Sequence, residues 1–139
     1  MSQATLQNPM TENPTAKSAQ AFMQLLQKGD FLAAIDQFYA PNIENIESMM
    51  PSDAPNRVIK GFDAVKAYNR EWTEENEVHS CKLDGPFIGD NRFAVTMTID
   101  VTVKATQKRM TMSELCLYTL ENNKITRAEF LYDANSKCC

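Results

Sequence analysis

A glutamate interrupts an otherwise apolar strand face, and its surroundings could support chemistry. Residues 109–120 (RMTMSELCLYTL) alternate with the period of two that is typical of a half-buried strand. On that period Glu114 shares its face with apolar and aromatic neighbours, namely Met110, Met112, Cys116, Tyr118 and Leu120. A carboxylate removed from water must find a partner or raise its pKa, and either condition suits a ligand site or acid–base catalysis. A rim glutamate or a structural ion pair is the alternative.

Two further side chains fall in phase with Glu114 and could exchange protons. His79 shares a face with Cys81 and Leu83, and histidine titrates nearest to neutral pH. Tyr118 lies four residues beyond Glu114 and could donate its hydroxyl to a developing oxyanion. The alternatives are a structural histidine and a core tyrosine with its hydroxyl at the rim. We therefore predict Glu114, His79 and Tyr118 as catalytic residues.

Four other residues are predicted to line a pocket around this site. Trp72, Met97 and Met112 would form its walls, and methionine suits an apolar ligand of irregular shape. Core packing explains these three residues equally well. Glu129 is either a second pocket acid or the partner of Arg127.

The elements that must position these residues begin with three helices. Asn13 and Pro14 suit the cap and first position of a helix that ends near Gly29. Apolar residues at helical spacing predict a second helix over residues 31–39, after Asp30, and a third helix capped by Asp63. The spacing predicts that the first two helices form a tight pair.

The pattern then changes to strands. We predict an antiparallel meander over residues 77–83, 87–104, 108–121 and 124–132, preceded by strands at 43–50 and 57–60. If Glu121 pairs with Lys124, Glu114 faces Leu131 across the last hairpin. The opposite sheet face then carries an apolar patch, which predicts a homodimer through Leu115, Leu117, Phe130 and Tyr132.

The composition of the chain argues against several classes of partner and cofactor. A chain of 139 residues fits one domain, and a net charge of −4 argues against nucleic-acid and anionic-membrane partners. There is no apolar run of membrane-spanning length and no basic leader, so we expect a cytoplasmic protein. One histidine and no Cys-x-x-Cys pattern argue against a metal, and the absence of glycine fingerprints argues against a nucleotide. We therefore predict no cofactor.

The order of three helices and a long meander resembles the SnoaL-like proteins of the nuclear transport factor 2-like superfamily. The resemblance runs from about residue 15 to 133, and Asn122-Asn123 replaces the usual Asp-Gly or Asn-Gly turn. The stretches that carry it are Gly29-Asp30, Trp72, and residues 77–80 (EVHS), 92–95 (RFAV), 99–102 (IDVT), 112–114 (MSE), 118–120 (YTL) and 123–133.

The resemblance implies an α+β fold, with N-terminal helices packed in the concavity of a strongly curved antiparallel sheet, a cone-shaped α+β barrel. Its domain would span residues 15–133, between tails at 1–14 and 134–139. The superfamily includes ketosteroid isomerase, cyclases, dehydratases and members that only bind or assemble. We expect a pocket for a small apolar or carbonyl-containing molecule. The protein is then a cofactor-free isomerase, cyclase or dehydratase that uses proton transfer, or a non-catalytic ligand-binding or assembly module.

Overall fold

The computed structural model describes residues 13–133, in which three helices pack against a six-stranded sheet. The predicted tails fall outside these residues, except for Asn13 and Pro14. The helices are α1 (Pro14–Gln27), α2 (Phe31–Phe38) and α3 (Phe62–Glu75). The strands are β1 (Tyr39–Glu47), β2 (Val58–Lys60), β3 (Asn76–Ile88), β4 (Arg92–Val103), β5 (Lys108–Glu121) and β6 (Lys124–Tyr132).

Local sequence signals explain where the first two helices begin and end. The Asn13 side chain accepts a hydrogen bond from the Thr15 amide at 2.8 Å, and Pro14 occupies the first turn. Gly29 has a φ of 81°, which allows the chain to reverse between α1 and α2. Asp30 caps α2 through its backbone only, because its side chain makes no capping hydrogen bond. The predicted tight helix pair is present, and Asp30 is the N-cap of α2.

The sheet has the strand order β2-β1-β6-β5-β4-β3 and is not closed. The meander from β3 to β6 is antiparallel as predicted, and the α+β cone class is confirmed. The prediction of a wholly antiparallel sheet was wrong at one place, since β1 pairs with β6 in parallel. These strands are far apart in sequence, and the elements between them provide the crossover that a parallel pair needs.

The register of the β5–β6 hairpin changes by one residue within the hairpin. Glu121 pairs with Lys124 as predicted, but β6 carries an additional residue, Thr126, where the register shifts. Glu114 consequently lies opposite Tyr132 instead of Leu131. A shift of one residue exchanges the two faces of a strand.

This bulge decides which β6 side chains reach the helices. Phe130 packs against the core and Tyr132 lines the cavity described below, so neither belongs to the predicted outer patch. Glu129 lies opposite Leu117, and Leu131 is 41% exposed on the convex face. The outer apolar patch therefore consists of Leu115, Leu117 and Leu131.

The core lies between the helices and the concave face of the sheet. Phe22 of α1 is 1% exposed, and its ring centroid lies 4.8 Å from that of Tyr118 and 6.0 Å from that of Phe93. Burying a side chain of this size stabilises the fold by about 1.5–3 kcal/mol. This aromatic cluster fixes α1 over β4 and β5 and thereby forms one wall of the cavity.

Candidate functional site

A cavity of about 110 Å³ lies between the three helices and the concave face of the sheet. Trp72 of α3, Met97 of β4 and Met112 of β5 line it at the positions predicted for them. Phe22 and Phe130 add aromatic walls. The walls are largely apolar, so the cavity favours a small apolar molecule.

Two carboxyl groups lie on the walls of this cavity, joined by a tyrosine hydroxyl. The Tyr132 Oη donates a hydrogen bond to Glu47 Oε1 at 3.2 Å, and Tyr132 lies opposite Glu114 across the β5–β6 hairpin, where the two side chains interact. The Asn45 amide donates to the other oxygen of Glu47 at 3.3 Å. The Cys116 thiol donates to Glu114 Oε1 at 3.6 Å.

Glu114 is the carboxyl group predicted from the sequence, and it faces the cavity from the middle of β5. Its pKa is raised from 4.5 to about 7, chiefly by burial, and the nearby Glu47 carboxylate contributes to the increase. The side chains of Tyr132 and Cys116 interact with the carboxyl group and oppose the increase, because they favour its charged form. Neither lysine, arginine nor histidine is among the described residues that line the cavity.

Glu47, which the sequence reasoning missed, ends β1 and is 9% exposed. Burial raises its pKa, whereas hydrogen bonds from Asn45 and Tyr132 lower it. One signal could have identified it, because Ile43, Asn45 and Glu47 follow each other at every second position of a predicted strand. Those three positions share the concave face and are all buried.

Tyr118 lines the cavity but is 2% exposed, and its ring packs between those of Phe22 and Phe93. Burial raises the pKa of its hydroxyl. The tyrosine is therefore a core aromatic whose hydroxyl lies near the polar end of the cavity. Its catalytic role stays a prediction.

His79 does not lie in this cavity, contrary to its predicted phase. The β3–β4 register shifts between Val78 and Ser80, so a bulge at His79 places this side chain on the other face of the sheet from Val78. There its Nε2 lies 2.7 Å from the Thr102 hydroxyl in an exposed position. The expected convergence of His79 with Glu114 is therefore absent.

Glu129 is also displaced from the predicted pocket, by the bulge in β6. It does not line the cavity, and its Oε1 lies 3.8 Å from Arg127 Nε. Of the two interpretations left open by the sequence, this geometry matches the ion-pair partner. Such a partly exposed pair contributes little to stability.

The sequence profile of a known family covers nearly all of the described chain. The SnoaL-like domain matches residues 13–132. The chain belongs to the SnoaL-like domain family. No functionally curated protein matched the sequence.

Solved structures similar to this SnoaL-like domain carry several names. A candidate SnoaL-like polyketide cyclase from Mesorhizobium loti is 38% identical over 84% of this chain and 97% of its own, with a TM-score of 0.78. A candidate isomerase from Bacillus subtilis is 15% identical over 86% of each chain, with a TM-score of 0.70. An LEH-like epoxide hydrolase from M. tuberculosis is 12% identical over 88% of this chain and 85% of its own, with a TM-score of 0.67. The two distant structures share the fold alone.

The geometry of this SnoaL-like domain suits proton exchange with a bound molecule. Glu114, Glu47 and Tyr132 present two carboxyl groups and a hydroxyl to one cavity. Within residues 13–133 no group of three metal-ligating side chains is suitably placed to hold a metal ion. No helix of the described chain is long and apolar enough to cross a membrane.

Proposed function

We propose that this SnoaL-like domain binds a small, largely apolar carbonyl compound and transfers a proton on it, with Glu114 as the acid–base group. One observation carries the proposal: a carboxyl group with a pKa near 7 lines an apolar cavity. A catalytic acid or base works best when its pKa lies near the working pH. Glu114 meets that condition without a cofactor.

The reaction class follows from the chemistry of a carboxylate beside apolar walls. A carboxylate can remove a proton from the carbon next to a carbonyl, provided that a donor stabilises the developing oxyanion. Tyr132 supplies a hydroxyl at the polar end of the cavity, and Tyr118 supplies a second, more deeply buried one. Isomerisation, cyclisation and dehydration share this first step. The names of the cyclase and isomerase structures support the class of reaction and leave the substrate open.

We also propose that the protein is a cytoplasmic homodimer. The support for the dimer is the convex patch of Leu115, Leu117 and Leu131, of which Leu115 and Leu131 are 36% and 41% exposed. Apolar groups gathered on one sheet face are typical of an interaction surface.

Exchange of carbon-bound protons with solvent tests the proton transfer without knowledge of the physiological substrate. A panel of small cyclic ketones is incubated with the protein in D₂O, and loss of the α-proton signal is followed by NMR. We expect wild type to accelerate exchange for at least one ketone. Glu114→Gln should lose on the order of 10²–10⁴-fold in rate, since it retains the shape but cannot accept the proton.

Glu129→Gln is the matched control, because this glutamate lies outside the cavity. It should exchange protons at the wild-type rate. Equal rates for wild type and Glu114→Gln would contradict the proposal. Ketones that bind without exchange would favour the non-catalytic binding module.

A further inference from the structure

The side chain of Tyr132 lies between two carboxyl groups that come from strands far apart in the sequence. Glu47 ends β1, Glu114 lies in β5, and Tyr132 ends β6. The parallel pairing of β1 with β6 and the bulge at Thr126 bring the three side chains together. A hydroxyl can donate one hydrogen bond and accept others, so it can join a carboxylate to a carboxylic acid.

Among the described residues, none that lines the cavity with this pair carries a positive charge. The titratable groups around the two carboxyls are tyrosines and thiols, whose neutral form burial favours, namely Tyr39, Tyr68, Tyr118, Tyr132, Cys81 and Cys116. Two carboxylates in such a place repel each other and are poorly solvated. The pair therefore favours a state with one negative charge and one retained proton.

We propose that Glu47 is the second acid–base residue of this site, and that it shares a single proton with Glu114 through the hydroxyl of Tyr132. This inference rests on the proposed function for its catalytic part and deepens it. One carboxyl accepts a proton from the substrate while the other holds the proton that the substrate receives. The ligand class is a carbonyl compound that loses a proton at one atom and gains one at another.

The proton count balances over one turnover. The ionised carboxyl of the pair takes the proton from the substrate C–H bond, and the electron pair of that bond moves through the conjugated system of the carbonyl compound. The un-ionised carboxyl gives its proton to the substrate atom that receives the electron pair. Tyr132 then accepts the proton from the first carboxyl and passes its own to the second, which restores the starting state.

Asn45 can support Glu47 in either protonation state. Its side chain is 1% exposed and donates to Glu47 through Nδ2, whereas its Oδ1 has no hydrogen-bond partner among residues 13–133. Rotation of the amide by half a turn would present Oδ1 to the proton of an un-ionised Glu47. A buried amide with one free acceptor is therefore suited to a neighbour that gains and loses a proton.

Carboxyl titration by NMR tests the shared proton independently of any turnover. With ¹³C-labelled glutamate, we expect Glu47→Gln to lower the apparent pKa of Glu114, because a neighbouring negative charge is removed. Tyr132→Phe should raise that pKa, because the hydroxyl that favours the charged form of Glu114 is removed. Glu44→Gln is the control on the same strand, since Glu44 pairs with Lys60 outside the cavity.

Ketone exchange then tests the catalytic part. We expect the wild-type rate to reach a maximum over pH and to fall above about pH 7, where the shared proton is lost. Glu47→Gln should exchange on the order of 10²-fold more slowly. An unchanged Glu114 titration in both Glu47→Gln and Tyr132→Phe would overturn the shared proton. If the titrations shift as expected but wild type exchanges no ketone, the proposed function fails and the paired carboxyls stand.

Discussion

The contribution of Glu114 to the free energy of unfolding depends on pH. Its pKa is raised from 4.5 to about 7, so the folded state keeps a proton that the unfolded chain has already lost between these values. The unfolded state binds fewer protons in this window, and stability therefore falls as pH rises through it. The total change is on the order of 3 kcal/mol at most.

Replacing Glu114 with glutamine should remove this dependence. We expect Glu114→Gln to gain stability relative to wild type from about pH 4.5 to about pH 7, after which the difference stays constant. Urea denaturation at pH 5 and pH 8 measures the two free energies of unfolding. Glu129→Gln is the control outside the cavity. A loss of several kcal/mol in Glu114→Gln would indicate a buried ion pair instead, because a stranded partner is costly.

The sequence was sufficient to predict the sheet face on which Glu114 lies but not the faces of its neighbours. Strict alternation around Glu114 in β5 is a short-range pattern, and no bulge interrupts the β4–β5 pairing. Tyr132 and His79 were placed on the wrong faces because each follows or occupies a single-residue bulge, at Thr126 and at His79 itself. A bulge depends on packing between strands, which local alternation does not encode.

At the scale of elements, the β5–β6 hairpin sets the geometry of the site. The turn was predictable, because asparagine tolerates positive φ and both Asn122 and Asn123 adopt it, at 53° and 64°. The hairpin bounds were predictable for the same reason, since the two strands flank this turn directly. The parallel neighbour β1 was not, since its pairing with β6 spans most of the chain.

Changing the turn should alter stability without altering the cavity. Glycine adopts positive φ without a steric cost, so we expect Asn123→Gly to stabilise the protein by about 0.5–1 kcal/mol. Asn123→Ala should destabilise it by about 1 kcal/mol. Midpoints of urea denaturation give both differences. A stabilising alanine would show that the backbone of this turn is not under the strain that its φ angle implies.

At the scale of the whole molecule, the curved sheet separates two surfaces with different roles. The concave face carries the acidic cavity, and the convex face carries Leu115, Leu117 and Leu131 in adjacent strands. A substitution on the convex face should therefore change assembly and leave the titration of Glu114 unchanged.

Analytical ultracentrifugation tests the predicted homodimer. We expect wild type at micromolar concentration to sediment with about twice the chain mass of 15.7 kDa. Leu131→Lys should sediment as a monomer, because a lysine ammonium would be buried at the interface. Phe87→Lys is the control, since Phe87 is 63% exposed on the distant edge strand β3. A wild-type monomer would contradict the dimer.

The proposed proton-transfer site requires a proton held by Glu114 near neutral pH, and the pH dependence of the ¹³C carboxyl shift of Glu114 in the wild-type protein measures this directly. Glu114→Gln identifies the signal by its disappearance. We predict a midpoint near pH 7, about where burial and Glu47 place it. A midpoint at the ordinary value of 4.5 would show a well-solvated carboxylate and would contradict the proton-transfer site.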